Sequence, residues 1–222
     1  LLGSNSNQTL SGVISGSGAI TKNGTGTLTI SNAASTHNGT LTINTGTLAA
    51  SGNTSSSVVL NTGVRISAGT AAAVAKFNAG SLTIGAGTGY DLTIGNVSAM
   101  VPGTDYDQIA LSGALSLNNT AASPFTIYLN GTPSGWSNTA VYSWDIISGT
   151  SLSGAFTAGN FTTDFTNFGI ASGNRTGTWT FSNPSTGIIQ LTYAGTTGNS
   201  TWNTGAGSWN TAAQWSENTP PV

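Results

Sequence analysis

The strongest constraint on the fold is a short motif that recurs through the first half of the chain. Each copy has an apolar residue, an asparagine, a small residue and a glycine, and each leads into another run of alternating residues. The copies occupy residues 43–46 (INTG), 60–63 (LNTG) and 77–80 (FNAG), so their glycines are equally spaced. A coil of roughly 17 to 20 residues holds only two or three short strands and their corners, which cannot bury an apolar side alone. The sequence therefore predicts an all-β fold of stacked coils, a β-solenoid.

The apolar positions predict which residues form the core of the coils. Counted from coil to coil, Ile30, Leu48, Ile66 and Ile84 are also equally spaced, but each step is one residue longer than the step between the glycines. If the coils were aligned by the glycines of the repeated motif instead, a register that we call the glycine register, Arg65 would point inward. A one-residue bulge or corner adjustment costs much less than an unpaired buried guanidinium, so we predict such an adjustment near Arg65. The expected core residues are Leu28, Ile30, Leu48, Ile66, Leu82 and Ile84.

The asparagines of the repeated motif predict a structural ladder at the corners. Asn44, Asn61 and Asn78 would lie above one another if the glycine register held. Asparagine tolerates the left-handed backbone of a sharp corner, and its amide can hydrogen-bond along the column. The alternative is that these are three unrelated loop asparagines.

Two stretches also carry a family resemblance. Residues 18–30 (GAITKNGTGTLTI) and 38–48 (NGTLTINTGTL) resemble the autotransporter-associated β-strand repeat of secreted bacterial proteins. The resemblance implies a right-handed parallel β-helix on the cell surface or outside the cell, as in passenger domains and adhesins. It implies no enzyme activity.

The pattern changes along the chain and divides it into four parts. Residues 1–15 are predicted to form an incomplete opening coil, and residues 16–102 are predicted to form the regular solenoid coils. In residues 103–194 the strands are longer and more aromatic, which predicts wider coils or a sandwich-like cap. Expected strands there are 106–111, 114–117, 125–129, 141–147, 152–156, 178–181 and 188–193, and residues 159–175 are assigned to no strand. Residues 195–222 form a tail that repeats a Trp-Asn unit.

Composition limits the function. Of 222 residues only 5% are charged, the net charge is −2, and there is no cysteine. The four basic residues are scattered, so neither nucleic acid nor an anionic membrane is an expected partner. No apolar stretch is long enough to insert in a membrane. The chain begins with Leu1 rather than Met, so we expect a processed chain or a fragment.

The candidate chemical groups do not combine into a predicted active site. His37 is the only histidine, and no acid precedes residue 90, so we expect a solvated corner histidine rather than a catalytic one. Asp105 and Asp107 could supply two Ca²⁺ ligands, although a turn role for Asp105 is favoured because no carboxylate-rich pattern surrounds them. A glycosidase pair could come from any two of five aspartates, at 91, 105, 107, 145 and 164, and no spacing selects one. We predict no enzyme activity, no catalytic residue, no metal and no cofactor.

The tail leads to the functional prediction. Trp202, Trp209 and Trp215 could form a sugar-stacking platform or bury against another chain, and burial is favoured because uncapped solenoid ends pair with other chains. We predict an extracellular or cell-surface filament subunit. It would assemble head to tail with itself by β-strand addition through residues 195–222, with the three tryptophans at the subunit interface. The alternative is a stalk or passenger segment of a longer bacterial adhesin that attaches to surfaces or binds surface glycans.

Overall fold

The computed structural model describes residues 2–69 and 73–196 of the protein. There the chain forms two three-residue 3₁₀ helices, Ala158–Asn160 and Ser172–Asn174, and no α-helix. The all-β class predicted from the sequence is thus confirmed. The strands are β1 (Gln8–Leu10), β2 (Ile20–Lys22), β3 (Thr27–Ile30), β4 (Thr40–Ile43), β5 (Thr47–Ala50), β6 (Ser57–Leu60), β7 (Arg65–Ala68), β8 (Lys76–Ala79), β9 (Ser81–Ile84), β10 (Gly89–Thr93), β11 (Gln108–Leu111), β12 (Ala114–Leu117), β13 (Phe125–Gly131), β14 (Val141–Ser148), β15 (Ser151–Ser153), β16 (Phe161–Phe168), β17 (Thr178–Ser182) and β18 (Ile188–Ala194).

The strands lie in three sheets that the chain visits in turn. A seven-stranded sheet has the order β1-β3-β5-β7-β10-β13-β16, and a six-stranded sheet has the order β2-β4-β6-β9-β12-β15. The third, five-stranded sheet has the order β8-β11-β14-β18-β17. Pairing is parallel throughout the first two sheets and becomes antiparallel in the third at β18. We call one passage of the chain through the sheets a circuit, and each circuit hydrogen-bonds to the next.

The circuits widen along the chain. In the seven-stranded sheet the narrow circuits run from Leu28 to its partner Leu48 and from Leu48 to its partner Ile66. The next two run from Ile66 to Tyr90 and from Tyr90 to Ile127, and each of these is longer than the one before. The increase begins where β8 adds a strand of the five-stranded sheet to each circuit. Parallel pairing continues through the wide circuits as far as β13 and β16.

Apolar side chains from all three sheets meet in one continuous core. The six residues expected in the core are each at most 3% exposed. Their expected alignment at equal intervals is wrong, however. Ile30 pairs with Ala50, and Ile84 lies in the six-stranded sheet opposite Leu60. The reason is that β3 and β4 have the same sequence, TLTI, but belong to different sheets.

The one-residue discrepancy near Arg65 has the predicted kind of origin. Ile43 pairs with Leu60, and Thr47 pairs with Arg65. The separation in sequence between Thr47 and Arg65 is one residue longer than the separation between Ile43 and Leu60. The additional residue therefore lies in the corner between β6 and β7, and both ladders remain unbroken. As a result Arg65 points outward, with its side chain 39% exposed.

The glycine register does not extend to residue 80. Gly46 and Gly63 lie in the corners that lead from the six-stranded to the seven-stranded sheet, but Gly80 lies between β8 and β9. The motif at residues 77–80 enters the five-stranded sheet instead. The cause is that the chain inserts β8 before it returns to the six-stranded sheet.

All seven strands expected in residues 103–194 are present, and only β12 has the predicted bounds. The strand expected at 152–156 is β15, which covers Ser151–Ser153. The strand missed is β16, within residues 159–175. Its sequence, FTTDFTNF, places the phenylalanines four and then three residues apart, which is not the two-residue period of a strand, and its pairing with β13 is interrupted between Tyr128 and Asn130. Among the described residues, no helix has the length and apolar character needed to cross a membrane.

The corner glycines provide a test of the stacking. Gly46 and Gly63 have φ angles of +76° and +75°, so alanine at either position is strained by about 1–2 kcal/mol. A Cβ at residue 46 would also lie 2.5 Å from the carbonyl oxygen of Gly26 in the preceding circuit, whereas one at residue 63 would meet nothing within 4 Å. We expect Gly46→Ala to lower the free energy of unfolding by at least about 1 kcal/mol more than Gly63→Ala does, measured by urea denaturation. Equal losses would contradict this packing.

Candidate functional site: the two ends of the stack

At one end of the stack, the N-terminal end, the sheets finish with β1 and β2. Leu10, Ile14 and Ile20 pack against the core there but remain only partly buried. Beyond β2, Leu2 forms a single bridge to Lys22. The outer edge of β1 has no strand partner among the described residues. This end therefore presents backbone N–H and C=O groups beside apolar side chains, which is the arrangement that templates strand addition.

At the opposite end, the C-terminal end, the six-stranded sheet finishes with β15 and the seven-stranded sheet with β16. The five-stranded sheet extends further, because the antiparallel strands β18 and β17 continue it beyond β14. Leu152, Phe156 and Phe165 are only partly buried at this end. In the described part of the chain, the C-terminal end thus has two parallel edges without a strand partner beside a hairpin that covers the third side.

Aromatic residues fix this hairpin on the end of the core. The Trp179 ring of β17 stacks on the rings of Trp144 and Trp136, each at 5.9 Å between centroids. It also contacts Tyr193 at 5.0 Å and the edge of Phe165 at 5.1 Å. Aromatic pairs of this geometry stabilise by about 0.5–1.5 kcal/mol beyond their buried area. The hairpin is therefore an integral cap and not a loosely attached extension.

The predicted interface residues Trp202, Trp209 and Trp215 lie outside the described residues. The last described residue, Thr196, follows β18, and its Oγ1 lies 3.1 Å from Oγ1 of Thr176. The chain therefore leaves its described part beside the hairpin of the C-terminal end.

The asparagine column differs from the predicted one. Asn61 donates its amide to the Asn44 side chain at 2.5 Å, and Asn44 donates in turn to Asn23 at 2.5 Å. Asn78 lies outside this column and donates to Asn53 at 2.6 Å, because β8 belongs to the five-stranded sheet. Each column joins neighbouring circuits through side-chain amides.

Lys22 is a buried charge that sequence reasoning missed. It occupies the inward position that Ile43 fills in the next circuit. Its Nζ donates to the carbonyl oxygens of Gly24 at 2.5 Å and Thr45 at 2.9 Å, at the corner between the sheets. Burial lowers the pKa of this ammonium from its usual value. The sequence does contain a signal for this burial. Lys22 lies two residues after Ile20, and side chains two residues apart in a strand point to the same face.

The expectation of a solvated His37 is wrong, since the residue is 4% exposed. One ring nitrogen, Nε2, lies 2.7 Å from the carbonyl oxygen of Gly18, and the other, Nδ1, lies 2.6 Å from Oγ of Ser56. A carbonyl only accepts, so Nε2 carries a proton. His37 therefore joins the preceding circuit to the following one, and no carboxylate of the described residues is hydrogen-bonded to it.

The adjacent aspartates have separate structural roles. Asp105 accepts a hydrogen bond from the Val101 N–H at 2.8 Å, which closes a turn. Asp107 is fully buried, and its two oxygens accept from the N–H groups of Ala75 at 2.7 Å and Thr93 at 2.8 Å. It thus ties the chain before β8 to the end of β10. Burial raises the pKa of Asp107 to about 7, and the two N–H groups offset part of this effect.

The remaining candidate carboxylates are also engaged by protein groups. Asp91 pairs with Arg65, Asp145 accepts from the Gln190 amide at 2.8 Å, and Asp164 accepts from its own chain at Thr166. Within the described part of the chain, no three His, Cys, Asp or Glu side chains are grouped closely enough to hold a metal ion.

No protein-family model matches this sequence, and no curated protein matches it significantly. We therefore argue its function from the residues and geometry of the chain itself.

Asp107 gives a pH dependence with a defined sign. Its carboxyl binds a proton more tightly in the folded state, at a pKa of about 7, than in the unfolded state. Its contribution is therefore fully present below about pH 4 and is lost as the pH rises to about 7, by up to about 4 kcal/mol. We expect urea denaturation across this range to show the decline, and Asp107→Asn to remove it.

The partly exposed Asp164 supplies the control for this measurement. Hydrogen bonds from Thr166 lower the pKa of Asp164, so its contribution is lost only as the pH falls through that lowered value. Asp164→Asn should leave the slope between about pH 4 and about pH 7 unchanged. A slope that Asp107→Asn does not alter would show that another group titrates.

Proposed function

We propose that this chain is a structural subunit of an extracellular or cell-surface filament, and that its fold is a right-handed parallel β-helix of the autotransporter-associated repeat type. Copies join head to tail by β-strand addition, and we assign the chain no catalytic role. The observation that carries this proposal is that parallel edge strands lie at both ends of the stack, β1 and β2 at one and β15 and β16 at the other. Among the described residues no further strand pairs with them, and only the single bridge from Leu2 covers part of β2. Partly buried apolar side chains accompany the strands at both ends. A second copy would satisfy the backbone groups and cover the apolar surface in one contact.

The different widths of the two ends are compatible with this joint. The narrow N-terminal circuits contain strands of the six- and seven-stranded sheets, and these are the sheets that end in open strands at the C-terminal end. The third side of the wide end is already covered by the hairpin of β17 and β18. A narrow circuit of one copy can therefore continue both of these sheets in another copy, and the antiparallel strand β17 remains the edge of the five-stranded sheet.

The buried lysine does not oppose such a joint. An inward-pointing charge at a terminal strand is a common means of preventing edge pairing. The Lys22 ammonium, however, is turned toward the corner carbonyls of Gly24 and Thr45. The charge is thus directed away from the apolar surface of the N-terminal end.

The tail completes the proposed mechanism. The tail, residues 195–222, begins beside the hairpin, where the last described residue, Thr196, lies near Thr176. We propose that the tail supplies a strand to the next copy and that Trp202, Trp209 and Trp215 fix its register by burial at the interface.

A second candidate is a stalk or passenger segment of a longer surface adhesin. The change in circuit length favours this candidate. The first circuits are short and the later ones are long. In a longer chain, a second set of short circuits can follow the long ones. The joint between blocks would then be covalent. Negative-stain electron microscopy and mass photometry of the purified chain separate the two, because only the filament subunit forms fibres by itself.

The role of the tail can be tested by truncation. Deleting residues 199–222 removes the proposed inter-subunit strand and all three tail tryptophans. We expect a folded monomer by mass photometry, whereas the full chain forms fibres. Fibres from the truncated chain would contradict the tail mechanism.

The role of the N-terminal end can be tested without shortening the chain. Leu10→Lys places an ammonium on the apolar end surface, since Leu10 continues the inward row of Ile30. Thr9→Lys adds the same charge on the outer face of the same strand, where Thr9 is exposed. We expect Leu10→Lys to abolish fibres and Thr9→Lys to retain them. Loss of fibres in both variants would show that net charge, and not the end surface, controls assembly.

A further inference from the structure

The outer face of the seven-stranded sheet carries an open groove of about 460 Å³. Its floor consists of short side chains from successive circuits, most of them hydroxyls: Thr27, Thr29, Thr47, Ala49 and Ser67. The Ser67 side chain is buried, and its Oγ has no hydrogen-bond partner among the described residues. Because this atom is shielded from solvent, the hydroxyls that face the groove are those of the three partly exposed threonines, which can both donate and accept hydrogen bonds.

A planar cation closes one end of the groove. The Arg65 guanidinium carbon lies 3.7 Å from the centroid of the Tyr128 ring, and its Nη2 contacts the Asp91 carboxylate. Arg65 and Asp91 both line the groove. Tyr128 and Asp91 together hold the guanidinium in one orientation, so that a flat, already ordered face is available to a ligand.

Gly89 makes this arrangement possible. It lies in β10, between Arg65 of β7 and Thr126 of β13. A Cβ at residue 89 would lie 2.5 Å from Cε2 of Tyr128. Only glycine therefore allows the tyrosine ring to lie across the strand and support Arg65.

The charges beside the groove disfavour an anionic ligand. Arg65 is paired with Asp91, and its charge also contributes to lowering the pKa of Asp164, after the hydrogen bonds from Thr166. One cation thus stands beside two carboxylates. This balance disfavours an anionic ligand, while carboxylates and hydroxyls are good partners for neutral hydroxyl groups.

We propose that this groove binds a neutral oligosaccharide. The flat face of the Arg65 guanidinium, supported by Tyr128, packs against the apolar face of a pyranose ring, and Asp91 and the threonine hydroxyls exchange hydrogen bonds with the sugar hydroxyls. The site lies on the outer face of the sheet and does not depend on the proposed assembly at its ends. The ligand belongs either to a polysaccharide or to a protein-linked glycan, which share this chemistry.

The test is a glycan array that contains neutral and acidic polysaccharide fragments and protein-linked glycans, followed by titration calorimetry with the strongest neutral hit. We expect saturable binding of neutral sugars. Arg65→Met should weaken it by at least about tenfold. Arg65→Lys should do so as well, since lysine keeps the charge but lacks the planar face. Whether the hit is a polysaccharide fragment or a protein-linked glycan identifies the source.

Two further variants separate the site from the fold. Gly89→Ala displaces Tyr128 and should weaken binding, whereas Thr83→Ala removes a hydroxyl of the same kind from the six-stranded sheet and should not. Thermal unfolding checks that each variant folds. Absence of binding by the wild-type chain, a preference for acidic sugars, or full binding by Arg65→Lys would overturn the proposal. The fibre-deficient Leu10→Lys variant should bind normally, so failure of assembly and failure of sugar binding are independent results.

Discussion

Parallel hydrogen bonding between successive circuits is the interaction on which the rest of the structure depends. Strands in the narrow circuits are short, and too few residues pair for a circuit to be stable alone. Each is held by the circuits before and after it, which aligns inward residues such as Leu28, Leu48 and Ile66 in columns. The same rule explains why, among the described residues, the six- and seven-stranded sheets have edge strands only in the terminal circuits.

Stacking also decides where polar groups can lie inside the protein. Arg65 reaches the outer face because a single additional corner residue resets the register. Lys22, His37 and Asp107 remain inside, and each bonds to backbone groups of neighbouring circuits. These buried groups thus hold circuits together at corners and at the point where a third sheet begins, where apolar contacts alone would not fix the path of the chain.

The two proposals use different surfaces of the same stack. Assembly uses its ends, where backbone groups and apolar side chains lack a neighbouring circuit. Sugar binding uses an outer face, where the regular alternation leaves short hydroxyl side chains free of any packing role. The Arg65–Tyr128 pair interrupts this regular face, because two long side chains from different circuits are in contact above Gly89.

The sequence by itself determined the all-β class, the alternation that buries the core residues, and the need for an adjustment near Arg65, because these follow from local periodicity and the cost of burying a charge. It did not determine which strand belongs to which sheet, since identical TLTI segments in β3 and β4 serve different sheets. Nor did it reveal the departure of Asn78 from the column of Asn44 and Asn61, or the burial of His37. Only the tertiary structure decided the sheet assignment, the position of Asn78 and the burial of His37. All three depend on how many residues each corner and each inserted strand adds to a circuit. That number is defined only by the pairing of neighbouring circuits.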